Sequence, residues 1–227
     1  LLIKGGLGKE RAVEDVTARL WDLRVVPVSS IPSVDVVPEL GTALLQGGLP
    51  VVEVTFRTSA AAAAVREFSR RFPELLLGAG TVLTAQQAEA AVGAGAEFIV
   101  SPGFGPDVVT WCLKRGVPVI PGVATPTEIQ RALDFGLRLL KFFPAEVLGG
   151  TRALRAFSGP FKEVRFMPTG GISAGNLAEY LSLPNVQCCG GSWLTPQRAL
   201  SAGDFEVIKA RVFETAALVR SLREGGE

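Results

Sequence analysis

Lys141 stands in the run Leu139-Leu140-Lys141-Phe142-Phe143-Pro144, one of six lysines in the chain and the one with two bulky apolar neighbours on each side. Such a run reads as a buried strand. Strand side chains alternate, so Lys141 shares a face with Leu139 and Phe143. An ammonium group on either face is costly to bury without a partner. Desolvation favours the neutral amine, and a neutral amine is the nucleophile that attacks a ketone to form an imine. A structural lysine paired with a carboxylate, or one snorkelling to a rim, fits the same six residues.

A second strand pattern supplies a complementary set. In Val51-Val52-Glu53-Val54-Thr55-Phe56-Arg57-Thr58, period-two alternation puts Glu53, Thr55 and Arg57 on one face and Val52, Val54 and Phe56 on the other. A buried carboxylate beside a lysine can move the protons that imine and enamine formation require. Arg57, at the C-terminal end, has the planar fork that clamps a carboxylate. A Glu53–Arg57 or Glu53–Lys141 ion pair that only neutralises buried charge remains open. Three glycine-rich stretches read as turns that close strands: Gly78-Ala79-Gly80-Thr81, Pro168-Thr169-Gly170-Gly171-Ile172 and Cys189-Gly190-Gly191-Ser192. Glycine admits close backbone approach, and successive amides form anion-binding nests. Ser101-Pro102-Gly103 and Ile120-Pro121-Gly122 close two further strands.

The elements that must position these residues recur regularly. Short apolar runs at 24–28, 51–55, 75–79, 98–101, 119–122, 139–143, 165–168 and 186–190 alternate with helical patterns. Those patterns cover 34–46, 60–71, 86–92, 107–115, 128–134, 151–157, 176–183 and 205–222. Gly47-Gly48, Gly93 and Gly116 fall where helices should stop, and Ser59, Thr84 and Thr127 where they should start. Eight βα units predict a (β/α)8 barrel, with a doubly wound open sheet as the alternative. No linker divides the chain, so one domain over 1–227 is expected, and residues 1–20 read as a leader or helix. In such a barrel, chemistry gathers at the C-terminal strand ends, and the loops after strands seven and eight frequently bind phosphate. The glycine pairs Gly170-Gly171 and Gly190-Gly191, with Ser192 as a hydroxyl donor, fall in those two loops.

Composition prunes the chemistry further. The 227 residues include no histidine, which excludes Ser-His-Asp and Cys-His catalysis and removes the commonest transition-metal ligand. The three cysteines have no CxxC spacing, so a cytoplasmic protein without a disulfide framework is expected. A formal net charge of +1 points to no nucleic-acid partner. No apolar run reaches the roughly 18 residues of a membrane span, and the first ten residues carry no signal-peptide pattern. No GxGxxG or GxxxxGK[ST] motif calls for a nucleotide.

The motifs VVEVTFRT (51–58), GAGTVL (78–83), SPG (101–103), IPG (120–122), KFFPAE (141–146), PTGGI (168–172) and GGSWL (190–194), in that order, resemble those of bacterial 2-keto-3-deoxy-6-phosphogluconate (KDPG) aldolases. Members of that family often also cleave 4-hydroxy-2-oxoglutarate. The resemblance runs from about Val25 to the final helix. It implies a cytoplasmic, homotrimeric barrel lyase that works through a lysine–substrate imine, with no metal. Lys141 would form the imine and Glu53 would be the general acid/base. Arg57 and Thr81 would hold the pyruvate carboxylate, and Pro102 and Phe143 would shape the pocket. Thr169 would contact the aldehyde portion, and Gly170, Gly171, Gly190, Gly191 and Ser192 would cradle the phosphate. Thr169 before the double glycine favours the gluconate over the galactonate substrate. A 4-hydroxy-2-oxoglutarate or 6-phosphogalactonate aldolase, and a non-catalytic phosphosugar-binding barrel, are the alternatives.

Overall fold

The computed structural model describes residues 7–224. Residues 1–6, part of the expected leader, lie outside the described residues. The remainder of that leader is helix α1 (Leu7–Leu23), which leads into β1 (Val25–Ser29). A 3₁₀ turn (Val34–Val36) then opens α2 (Val37–Gly47), followed by β2 (Val51–Thr55), α3 (Ala61–Arg71), β3 (Leu76–Gly80) and α4 (Ala85–Gly93). Next come β4 (Phe98–Val100), α5 (Pro106–Arg115), the short pair β5 (Val119–Ile120) and β6 (Gly122–Val123), α6 (Pro126–Asp134) and β7 (Leu139–Phe142). The chain continues through α7 (Gly150–Ser158), β8 (Arg165–Pro168), α8 (Leu177–Leu181), β9 (Cys189–Gly191), α9 (Gln197–Ala202) and α10 (Phe205–Glu224).

All strand pairs are parallel. One run has the order β5-β4-β3-β2-β1-β9 and the other β6-β7-β8. The runs join twice. Bridges between Phe166 and Val186 and between Thr169 and Gly190 link β8 to β9. On the other side, β5 and β6 are two halves of one barrel strand interrupted at Pro121, which has no amide hydrogen to donate. The Pro121 carbonyl still accepts from the Lys141 amide at 2.9 Å, so the gap stays bonded to β7. The sheet is therefore a closed (β/α)8 barrel, and the open-sheet alternative is set aside.

Two apolar layers hold it. The outer layer packs Val52, Val54, Ile99, Leu140 and Phe142 against the helices. Inside the barrel, Val26, Val51, Leu76, Phe98, Ile120 and Met167 meet Val16 and Leu20 of α1. Helix α1 thus plugs the N-terminal mouth, where each fully buried leucine contributes roughly 1.5–3 kcal/mol. Along β2 the interior face changes from Val51 to Glu53 and Thr55, so the barrel is apolar below and polar towards its C-terminal mouth.

Several expectations need correction. Gly80 is the last residue of β3 and not part of a turn, and Gly191 likewise is the last residue of β9. The expected strand over 186–190 shifts to Cys189–Gly191, with Val186 reduced to a single bridge. The strand over 119–122 splits at Pro121. Ser59 caps nothing: α3 starts after Ala60 without a side-chain cap. The α6 cap is Thr125 rather than Thr127, in a reciprocal capping box with Glu128. Helix α9 is additional to the expected set, and α8 is shorter than its expected span.

Candidate active site

β7 and β2 bring the two expected chemical groups together across the barrel. Lys141 is 4% exposed and Glu53 is fully buried. The Lys141 Nζ donates to Glu53 Oε1 at 3.4 Å, and the phenyl ring of Phe143 lies 5.3 Å from the same nitrogen, centroid to atom. The other carboxylate oxygen, Glu53 Oε2, is buried and has no protein partner. A buried charge pair must offset a large desolvation cost, and leaving one carboxylate oxygen unbonded adds to it.

Backbone geometry makes room for the carboxylate. A Cβ on Gly80 would overlap the Glu53 carboxylate itself, so the absence of a side chain there is what lets Glu53 reach across. The next residue, Thr81, has φ +56°, a conformation rare for a β-branched residue. Such conformations cost of order 1–3 kcal/mol and cluster where function requires them. Thr81 is half-buried at the exit of β3. At the level of Lys141, Gly122 lies opposite it on β6 and leaves space for the backbone of Pro102.

The remaining expected residues surround the C-terminal mouth. Arg57 lies beyond the end of β2, in the turn where its amide donates to the Thr55 carbonyl. Strand alternation therefore carries Glu53 and Thr55 to one face but does not extend to Arg57. The Arg57 side chain is exposed. Thr169 is buried and pairs with Gly190, whose bare Cα makes room for the threonine hydroxyl. Gly170 and Gly171 form the turn after β8 with φ +97° and +82°. Gly190 and Gly191 are buried in β9, and Ser192 is exposed just beyond it. Among the described residues, no group of three or more His, Cys, Asp or Glu side chains is arranged to hold a metal ion.

The sequence reading treated Gly80 as part of a turn and so missed its place against Glu53. The strict alternation of glycines at 78 and 80 in an otherwise apolar strand was the available signal. It also passed over Tyr180, whose hydroxyl bonds to Glu146 behind the glycine turn. Helical periodicity alone marks Tyr180 as core.

A closed barrel with an amine and a carboxylate buried together beneath its C-terminal mouth defines a class, the carbon–carbon lyases built on a (β/α)8 frame. The family model described as KDPG and KHG aldolase matches residues 16–211, and the chain belongs to that family. It is 51% identical over 197 residues to the 2-dehydro-3-deoxy-phosphogluconate aldolase of Treponema pallidum, covering 87% of this chain and 94% of the relative. It is 46% identical over 184 residues to the KHG/KDPG aldolase of Escherichia coli K12, covering 81% and 86%. Among solved structures, the KDPG aldolase of Legionella pneumophila, with pyruvate captured at low pH as a covalent carbinolamine, superposes with a TM-score of 0.85. That structure shares 41% identity, over 88% of this chain and 97% of its own. No described helix is long and apolar enough to cross a membrane.

Proposed function

We propose that this enzyme reversibly cleaves 2-keto-3-deoxy-6-phosphogluconate to pyruvate and glyceraldehyde 3-phosphate, with Lys141 as nucleophile and Glu53 as general acid/base. The observation that carries this reading is the buried Lys141–Glu53 contact of 3.4 Å beneath the C-terminal mouth of the barrel. Lys141 adds to the C2 ketone and water leaves, giving an iminium. Glu53 takes the proton of the C4 hydroxyl, the C3–C4 bond breaks, and its electron pair flows into the iminium to form an enamine. The aldehyde departs, the enamine is protonated at C3, and hydrolysis of the resulting iminium releases pyruvate and the free lysine.

Around this centre, Arg57 and Thr81 hold the pyruvate carboxylate, and Pro102 and Phe143 shape the pyruvyl pocket. Thr169 meets the aldehyde portion. The turn at Gly170 and Gly171, with Gly190, Gly191 and Ser192, receives the phosphate. The electrophilic catalyst in this scheme is the imine itself, so no metal or organic cofactor is required. The kinship with a KHG/KDPG aldolase favours 4-hydroxy-2-oxoglutarate as a second substrate, since both share the pyruvyl half. The same family reading makes the chain one cytoplasmic domain that assembles as a homotrimer, for which mass in solution is the measure.

Borohydride trapping tests the assignment. Pyruvate and borohydride together should inactivate the enzyme irreversibly and leave a reduced adduct on the peptide that holds Lys141. Inactivation with Lys141 unmodified would remove it from the mechanism.

A further inference from the structure

The loop after β7 and the turn after β8 are joined by more than their strands. The Ala145 amide donates to the Thr169 carbonyl at 2.8 Å, and the Glu146 amide to the Gly170 carbonyl at 3.1 Å. A Cβ on Gly171 would run into the Glu146 side chain, and one on Gly170 would press on the Phe143 ring at 3.3 Å. Glu146 therefore lies flat across the glycine turn. Its carboxylate is held from behind by the hydroxyl of Tyr180 in α8, a side chain only 1% exposed. Burial, followed by the bond to Glu146, raises the Tyr180 pKa, so the phenol stays protonated as the donor. On the far side of the turn, the Asn176 side-chain Nδ2 donates to the Gly171 carbonyl at 3.0 Å.

Lys141 pairs with Glu53 and the Glu146 carboxylate with Tyr180, and the Glu146 side chain touches the turn by its methylenes. A carboxylate at the edge of an anion-binding turn would repel the anion if it turned inwards. The Tyr180 bond holds it the other way. We propose that Glu146 and Tyr180 are positioning residues which fix the Gly170-Gly171 turn relative to Lys141 and so set selectivity for phosphorylated over unphosphorylated substrates. The proposal rests on the aldolase reading above and adds a determinant of substrate choice outside the reacting centre.

The experiment compares kcat and KM of Tyr180→Phe, Glu146→Ala and Glu146→Gln with the phosphorylated substrate and with 4-hydroxy-2-oxoglutarate, and measures inhibition by inorganic phosphate. Losing the bond should raise KM for the phosphorylated substrate, and weaken phosphate inhibition, by about tenfold. The kcat for that substrate and both constants for 4-hydroxy-2-oxoglutarate should stay close to those of the parent enzyme. Glu146→Gln retains an acceptor for the Tyr180 hydroxyl and should restore most of the selectivity. Equal losses with both substrates, a loss confined to kcat, or no change in any variant would overturn the proposal. Should Tyr180→Phe fail to fold, the Glu146 pair carries the same comparison, because Glu146 is exposed. Failure of the parent enzyme to take up pyruvate with borohydride would instead bring down the aldolase reading, and this proposal with it.

Discussion

At the scale of single residues, the proposed chemistry turns on one buried carboxylate beside one buried amine. Glu53 Oε1 faces Lys141 at 3.4 Å and Oε2 has no protein partner. Glu53→Gln keeps the shape and a hydrogen-bonding group but removes the proton acceptor. Steady-state assays should find kcat reduced by roughly 10²-fold or more, the usual scale for a lost acid–base group. Thermal unfolding should show a folded variant; activity close to the parent's would exclude Glu53 as the base. Lys141 and Glu53 were both legible in the sequence, because a charged residue inside an apolar strand is costly and therefore conspicuous. Arg57 was legible by type but not by orientation. The strand ends at Thr55, and beyond a strand end period-two alternation gives no direction.

At the scale of elements, capping explains why the loops at the C-terminal mouth are held. The Thr125 hydroxyl accepts from the Glu128 amide at 3.3 Å, and the Glu128 carboxylate accepts from the amides of Ala124 at 2.7 Å and Thr125 at 2.9 Å. This box starts α6 directly after the interrupted fifth barrel strand. Thr125→Ala should lower stability by about 1 kcal/mol, seen as a lower denaturation midpoint in urea, with KM and kcat little altered. A change in KM as large as that from a pocket substitution would mean that the cap also shapes the site. Sequence placed β2 and β8 with the bounds the structure has, because Val51–Thr55 and Arg165–Pro168 are flanked by clear breakers. Thr127 was mistaken for the cap because two threonines flank Pro126, and proline at the first helical position selects the earlier one.

At the scale of the whole molecule, the interior carries three free thiols, Cys112, Cys188 and Cys189, all buried. Burial pushes Cys112 and Cys188 up to about 12 from the ordinary 9.0, and Cys189 well above it. The folded chain therefore keeps protons that the unfolded chain releases above pH 9, and stability must fall as pH rises through that range. Below the ordinary thiol value both states hold these protons and the thiols contribute no pH dependence. Urea midpoints should be insensitive to the thiols up to about pH 8 and decline from about pH 9 upwards. Cys188→Ala should make the decline shallower; an unchanged slope would assign it to other groups.

The sequence by itself determined which residues have chemistry to offer, how many βα units the chain contains, and, through ordered motifs, the family. Those are local properties: side-chain type, hydrophobic period and turn chemistry act over a few residues. Only the tertiary structure decided that the sheet closes, because closure depends on β8 meeting β9 and on one strand bridging Pro121. It also decided the vacancy at Gly80 that admits Glu53 and the Tyr180 hydroxyl behind Glu146, contacts between residues 27 and 34 positions apart. Glu53 and Lys141 lie 88 residues apart. No local rule relates them, and the barrel places them within reach because β2 and β7 aim their side chains into the same enclosed space.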